Sequence, residues 1–106
     1  MLFELHQVRA RPGRRADLVK VFEEEVIPFQ MSKGVVIVGS WVGEQEDDLY
    51  VWIRRFDSEE ERVNLYKAIY QSDHWKTVLG PHLAPLSDRE SIVITRLNPT
   101  PHSVLR

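Results

Sequence analysis

The chain has no cysteine, which removes disulfides, iron–sulfur clusters, thiolate metal sites and cysteine nucleophiles together. Stability has to come from packing, with a partner subunit as the other source. A dominant charge is missing too: 14 Lys and Arg against 16 Asp and Glu leave a formal −2, too little field to gather nucleic acid or anionic lipid. No run of about 20 apolar residues exists to span a membrane. The start, Met1-Leu2-Phe3-Glu4-Leu5-His6, lacks the basic head and long apolar stretch of a signal peptide. The expectation is a cytoplasmic protein with neither a membrane nor a nucleic acid as partner. There is no Gly-rich phosphate loop, nucleophile elbow or Ser/His/Asp order, and no internal repeat or low-complexity segment.

What is present is 106 residues, 42% hydrophobic and 28% charged, enough for one modest core and too little for two domains. Leu2 to Arg9 alternates aromatic and branched residues with polar ones, the mark of a strand. Arg11-Pro12-Gly13 is a turn. From Gly13 to Lys33, Leu18, Val19, Phe22, Val26 and Phe29 recur at helical spacing; Pro28 predicts a kink or break, and Gly34 an end. Val35 to Gly43 and Leu49 to Phe56 read as a β-hairpin across the acidic turn Glu44 to Asp48. Ser58 and Glu61 have capping-box spacing, predicting a helix from about Glu59 to Gln71 that buries Leu65, Tyr66, Ile69 and Tyr70 in the core. Asp73 starts a short helix carrying Trp75, Val78 and Leu79 that Gly80-Pro81 is expected to end. Ser91 to Leu97 is a last strand, closed by Asn98-Pro99-Thr100-Pro101.

The order strand, helix, strand, strand, helix, strand is the split βαβ pattern of a ferredoxin-like α+β sandwich with a four-stranded antiparallel sheet. Its helices cover one face of the sheet. The first and third strands nevertheless carry apolar residues on both parities, Phe3, Leu5, Val51 and Ile53 as well as Leu2, Val8, Trp52 and Phe56, so both faces are expected to be covered. A homodimer pairing its sheets face to face is the economical arrangement, with residues 98–106 as a Pro-containing strap.

The chain resembles the NIPSNAP family of the dimeric α/β-barrel superfamily over essentially its whole length, residues 1–106. The most specific piece is Leu97-Asn98-Pro99-Thr100-Pro101-His102-Ser103. Glu4-Leu5, Arg11-Pro12-Gly13, Gly39 with Trp41, Phe56-Asp57-Ser58, Arg62 and Trp75 support it by their order. Departures fall at His6, Val8 and Arg54, so no family ligand is carried over at those positions. The resemblance implies a ferredoxin-like homodimer and no settled reaction; related barrel families include cofactor-free monooxygenases, haem-handling enzymes and isomerases.

The chemistry-bearing residues lie on the even parity of the first and third strands: Glu4, His6, Tyr50, Trp52, Arg54 and Phe56. A carboxylate, an imidazole and a guanidinium together suit a small molecule with an acidic or enolic oxygen, while Tyr50, Trp52, Arg54 and Phe56 hold its ring. His6 would shuttle the proton with Glu4 as its catalytic neighbour, since an imidazole titrates near neutrality. The same residues would equally serve as a buried polar network that satisfies itself. The pocket would lie in a dimer barrel or between sheet and helices. Three functions follow: a small-molecule-binding homodimer, a cofactor-independent monooxygenase or isomerase, or an assembly module without ligand.

Elsewhere the signals are weaker. His74 and His82 beside Trp75 lack metal-ligand spacing, so no metal and no cofactor is expected. Arg9, Arg11, Arg14 and Arg15 gather near a helix start where a phosphate would be favoured, though a solvated charged turn is the commoner outcome.

Overall fold

A computed structural model describes residues 1–106. Strand β1 (Leu2–Ala10) leads through a turn at Gly13, whose φ of 74° suits glycine, into helix α1 (Arg15–Val21). A π-helical turn, Phe22–Val26, joins α1 to α2 (Ile27–Ser32). Strands β2 (Val36–Val42) and β3 (Leu49–Phe56) form the hairpin. Helix α3 (Glu59–Tyr70) starts at Ser58, whose hydroxyl accepts from the Glu61 N–H at 3.0 Å; of the predicted reciprocal pair, this is the bond formed. A second π-helical turn, Trp75–Leu79, runs into α4 (Gly80–Leu83), and β4 (Ser87–Leu97) closes the domain.

The four strands make one antiparallel sheet in the order β2-β3-β1-β4, with β1 flanked by β3 and β4. This is the predicted ferredoxin-like α+β arrangement. The helices lie on the even-parity face, where Leu2, Glu4, His6, Val8, Tyr50, Trp52, Arg54 and Phe56 are buried.

The two prolines are carried in the same way. At Pro28, where a kink or break is expected, the α-ladder gives way to a π-turn and the helix then continues; the expectation that the short helix ends at Gly80-Pro81 is corrected, since it runs on to Leu83. A proline ring would collide with the carbonyl four residues back and offers it no N–H. In each case the residue before the proline bonds five residues back instead: Ile27 N–H to the Phe22 carbonyl, and Gly80 N–H to the Trp75 carbonyl. The widened turn accommodates the ring and the helix continues.

The last strand begins at Ser87, four residues before the predicted Ser91. Its pairing with β1 jumps register between Gln7↔Val93 and Arg9↔Asp88, so residues 89–92 stand opposite Val8 alone. Ser91 repairs the ladder, its hydroxyl accepting the Arg9 N–H at 2.8 Å. A bulge of this kind re-aims side chains, and here it sets Arg89 on the same side of the strand as Ile92 and Ile94, all three lining the cavity between sheet and helices.

The core falls into two apolar clusters. One joins Val8, Leu18, Phe22, Val26, Tyr50, Trp52 and Leu86; the other joins Leu2, Val35, Phe56 and Ile69. Glu4 and Arg54, both 1% exposed, lie between them in sequence on β1 and β3. The odd-parity face of the sheet carries no helix: Phe3, Leu5, Val51 and Ile53 share it with Val36, Trp41, Val93 and Leu97, the last four exposed. Trp41 lies over Gly39, where a Cβ would stand 2.8 Å from the indole ring.

Candidate functional site

Antiparallel pairing sets Glu4 opposite Arg54 and His6 opposite Trp52. Their shared even parity turns all four under the helices, so the chemistry sits between sheet and helices. Arg54 is the hub. Its guanidinium meets Glu4 Oε1 at 3.0 Å, donates to the Tyr66 and Tyr70 hydroxyls at 2.7 Å each, and reaches Gln30 Oε1 at 3.2 Å. Its carbon lies 4.6 Å from the Trp52 ring centre and 5.0 Å from that of Tyr66. Tyr66 in turn donates to Glu4 Oε1 at 2.6 Å, and Arg62 approaches Glu4 Oε2 at 3.6 Å. A buried charge pair is tolerated where its remaining bonds are met, and here Glu4 Oε1 takes both Arg54 and Tyr66 while Oε2 faces the Arg62 charge.

Burial raises the Tyr66 hydroxyl, as does its donation to Glu4, against the opposing Arg54 charge. The tyrosine therefore stays a donor. Burial, helped by the Arg54 charge, lowers His6 to about 4. Its imidazole is neutral at physiological pH, a hydrogen-bonding group and a weak base.

Beside this network lies a cavity of about 460 Å³, within the range of small-molecule sites. Its sheet wall is His6, Val8, Trp52 and Arg54; its helix wall is Phe22, Tyr66, Tyr70 and Trp75; Gly80, Leu83 and Ala84 close one end. Arg11, Ser87 and Arg89 stand at the mouth with Ile92 and Ile94. The aromatic rings brace one another: His6 and Trp52 at 5.0 Å, Phe22 and Trp52 at 5.3 Å, Tyr70 and Trp75 at 4.7 Å between centres. Gly80 sits at a close approach, where a Cβ would stand 3.0 Å from the Trp75 carbonyl oxygen. The π-turn thus sets Trp75 against the cavity and makes room for Pro81.

Three buried nitrogens of the wall have no partner in the protein: His6 Nδ1, Trp52 Nε1 and Arg54 Nε. Buried polar atoms are satisfied in the great majority of native structures, and leaving one unmet costs about 1–3 kcal/mol. The three residues line the cavity, while these nitrogens themselves have almost no accessible surface.

Of the six residues singled out from sequence, His6, Trp52 and Arg54 line the cavity. Glu4 holds Arg54 from behind, Tyr50 packs on Phe22 at 4.7 Å, and Phe56 belongs to the second apolar cluster. Tyr50 also leaves its hydroxyl unpartnered, and burial raises its pKa. Sequence reasoning passed over Gln30 and read Tyr66, Tyr70 and Trp75 only as core. The available signal was the pair Tyr66 and Tyr70, one helical turn apart and facing the same way, on a helix that packs against a strand carrying an arginine.

The other candidates lie apart. His74 stacks on Phe29 at 4.8 Å, and His82 Nδ1 meets Glu25 Oε1 at 3.0 Å. No group of three or more His, Asp or Glu side chains is placed to hold a metal ion. In the basic cluster, Arg9 pairs with Glu46 and Asp48, Arg14 with Asp17, and Arg15 donates to the Gly43 and Glu46 carbonyls. Arg11 alone turns to the cavity. No helix is long and apolar enough to cross a membrane.

Fold and site together define a ferredoxin-like domain with an aromatic cavity between sheet and helices. Among solved structures, the chain is similar to a NIPSNAP family protein of unknown function from Agrobacterium tumefaciens, with TM-score 0.89 and 23% identity over 100% of this chain and 94% of that one. It is similar to an uncharacterized NIPSNAP domain protein from Burkholderia xenovorans, with TM-score 0.84 and 16% identity over 96% and 97%. A structure of an antibiotic biosynthesis monooxygenase matches at TM-score 0.72 and 13% identity over 95% and 100%. The fold is therefore the one these NIPSNAP proteins and the monooxygenase share. No family model and no curated protein sequence matches the chain.

Proposed function

We propose that this is a NIPSNAP-like homodimeric protein that binds a small aromatic or enolic molecule in the cavity between sheet and helices. The observation that carries this reading is a space of about 460 Å³ walled by aromatic rings, with His6, Trp52 and Arg54 on its sheet side and no aspartate or glutamate in its lining. Such a wall stacks a ring and offers donors to its oxygens. Glu4 acts through Arg54, fixing the guanidinium against the cavity, and Tyr50 and Phe56 back the wall from the core.

Dimerisation draws support from the bare sheet face. Val36, Trp41, Val93 and Leu97 are between 42% and 53% exposed on one side of the sheet. A contiguous apolar face of this kind is the mark of an interface, and a second copy of the same face is its closest complement. The tail after β4 returns along its own chain, where the Arg106 carbonyl accepts from Arg55 Nε at 3.2 Å, and it holds Val104 at 96% exposure. That side chain is available to a partner as part of a strap.

Native mass spectrometry of freshly purified protein tests both parts. The expected result is a dimer carrying extra mass of a few hundred daltons that denaturation releases. A bare dimer whose cavity no aromatic or enolic fragment enters would move the function to an assembly module. A monomer would remove the dimer. A monooxygenase or isomerase reading rests on the likeness in fold to the antibiotic biosynthesis monooxygenase, and fold alone does not transfer a reaction. In that reading His6, held neutral, would position a substrate oxygen rather than abstract a strongly held proton.

A further inference from the structure

Given that the cavity is a ligand site, we infer that its ligand is an aromatic ring carrying a short aliphatic chain, with the ring seated under the helices and the chain lying over Ile92 and Ile94 on β4.

The sheet pairing lays three cavity residues in one row across three strands. Trp52 on β3 stands opposite His6 on β1, and His6 stands opposite Ile94 on β4. Exposure rises along the row, from 2% at Trp52 through 9% at His6 to 43% at Ile94. The neighbouring row climbs in the same way, with Tyr50 at 1%, Val8 at 2%, and Ile92, in the bulge opposite Val8, at 37%. The step falls at β4 because the helices pack chiefly over β1, β2 and β3. Ile92 and Ile94 thus form an apolar shelf that continues the cavity floor beyond its roof.

The two parts of the floor differ in chemistry. Under the helices the cavity is walled by Phe22, Trp52, Tyr70 and Trp75, whose faces and edges suit a ring. The shelf is aliphatic and offers no hydrogen bond. A ring that stays under the helices leaves both isoleucines in water, whereas a chain attached to it removes that surface from water. Two strand spacings, about 10 Å, separate Trp52 from Ile94, the length of a benzene ring with a chain of about four carbons.

The shelf is bounded along its strand. Arg96, opposite Glu4, is drawn to Glu59 on α3, and Arg89 stands at the bulge. The apolar surface is therefore two side chains wide, which matches a single chain crossing the strands. A second copy on the odd-parity face would leave the shelf free, since Ile92 and Ile94 face the cavity on the helix side.

The test uses phenol, 4-ethylphenol and 4-butylphenol on the full-length protein, with isoleucine δ1 methyls labelled in ¹³C and tryptophan indoles in ¹⁵N. All three should shift the Trp75 indole N–H, and only 4-butylphenol should shift the Ile92 and Ile94 methyls. Affinity should rise about tenfold from the ethyl to the butyl compound, about three- to fourfold for each methylene removed from water. Ile92→Thr with Ile94→Thr keeps β-branching at two exposed positions and should cut that rise to about twofold. If the variant fails to fold, the wild-type methyl shifts decide. A rise that survives in the variant, or butylphenol shifts confined to the Trp75 indole, would overturn the placement of the chain and leave the cavity as a site for rings. Methyl shifts that follow protein dilution instead of ligand would give the shelf to a second copy and overturn it as well. If no probe moves the Trp75 indole or either methyl, the chain assignment and the binding function fall together.

Discussion

Arg54 and Glu4 face each other directly across β3 and β1, their side chains 3.0 Å apart and both nearly inaccessible to water. They hold a charge pair inside a domain of 106 residues; Tyr66, Tyr70 and Gln30 accept further bonds from the guanidinium, whose Nε is left without a partner, and Arg62 stands 3.6 Å from Glu4 Oε2. The pair separates two apolar clusters and gives the cavity its only buried cation. An apolar replacement of both residues would pack without desolvating any charge.

Removing one partner of this pair should be costly and removing both should cost less than the sum. Arg54→Met or Glu4→Leu should each lower unfolding stability by about 3 kcal/mol, because the other charge is left buried. Urea denaturation of both single variants and the double variant checks it. Strict additivity would mean that the two side chains do not act as a unit.

His6 makes stability depend on pH in a defined window. Its pKa is about 4 in the folded protein against 6.5 for an unperturbed imidazole, so below pH 6.5 the unfolded chain takes up a proton that the folded one refuses. Stability is full above pH 6.5 and falls as the pH drops toward 4. Between pH 6.5 and 5 the loss should be about 2 kcal/mol. Thermal melts of the wild type and His6→Gln over that range provide the comparison. The same slope in both would take the effect away from His6.

Gly80 should not accept a methyl group. The added Cβ would stand 3.0 Å from the Trp75 carbonyl oxygen inside the π-turn, and backbone there cannot give way cheaply. Gly80→Ala should cost about 1–2 kcal/mol and alter indole fluorescence through Trp75. An unchanged melting temperature and spectrum would show that the turn relaxes without moving the cavity wall.

A charge on the bare sheet face should separate the proposed dimer without unfolding the protomer. Val93 is 53% exposed on that face, so Val93→Lys leaves the packing under the helices untouched. Light scattering should move from dimer to monomer mass, with circular dichroism unchanged. A wild-type-like dimer would place the interface elsewhere.

Serine 91 offers a check on the bulge that aims Arg89. Its hydroxyl accepts the Arg9 N–H, and Ser91→Ala leaves that donor without a partner. The expected cost is about 1–2 kcal/mol, with faster amide exchange at Arg9. Wild-type exchange there would show that another acceptor replaces it.

The sequence alone determined the element order, and with it the fold, because alternation on β1 and β3 and the 3.6-residue recurrence of Leu18, Phe22 and Val26 are local patterns that survive without knowledge of contacts. It also determined that Glu4, His6, Tyr50, Trp52, Arg54 and Phe56 share one face, since parity along a strand is fixed by the pleat. Which face that was, it left open. The tertiary structure decided it by laying the helices on the even side, which split the six into cavity wall, network and core. It also decided how the two prolines are carried. A proline excludes one hydrogen bond, but whether the chain then breaks or widens depends on what the next turn packs against. The bulge opposite Val8 was beyond local reading for the same reason: the jump in register belongs to the pairing of β1 with β4, residues more than 80 apart in sequence. Arg89 therefore reaches the cavity mouth through a relationship that no window of neighbouring residues contains.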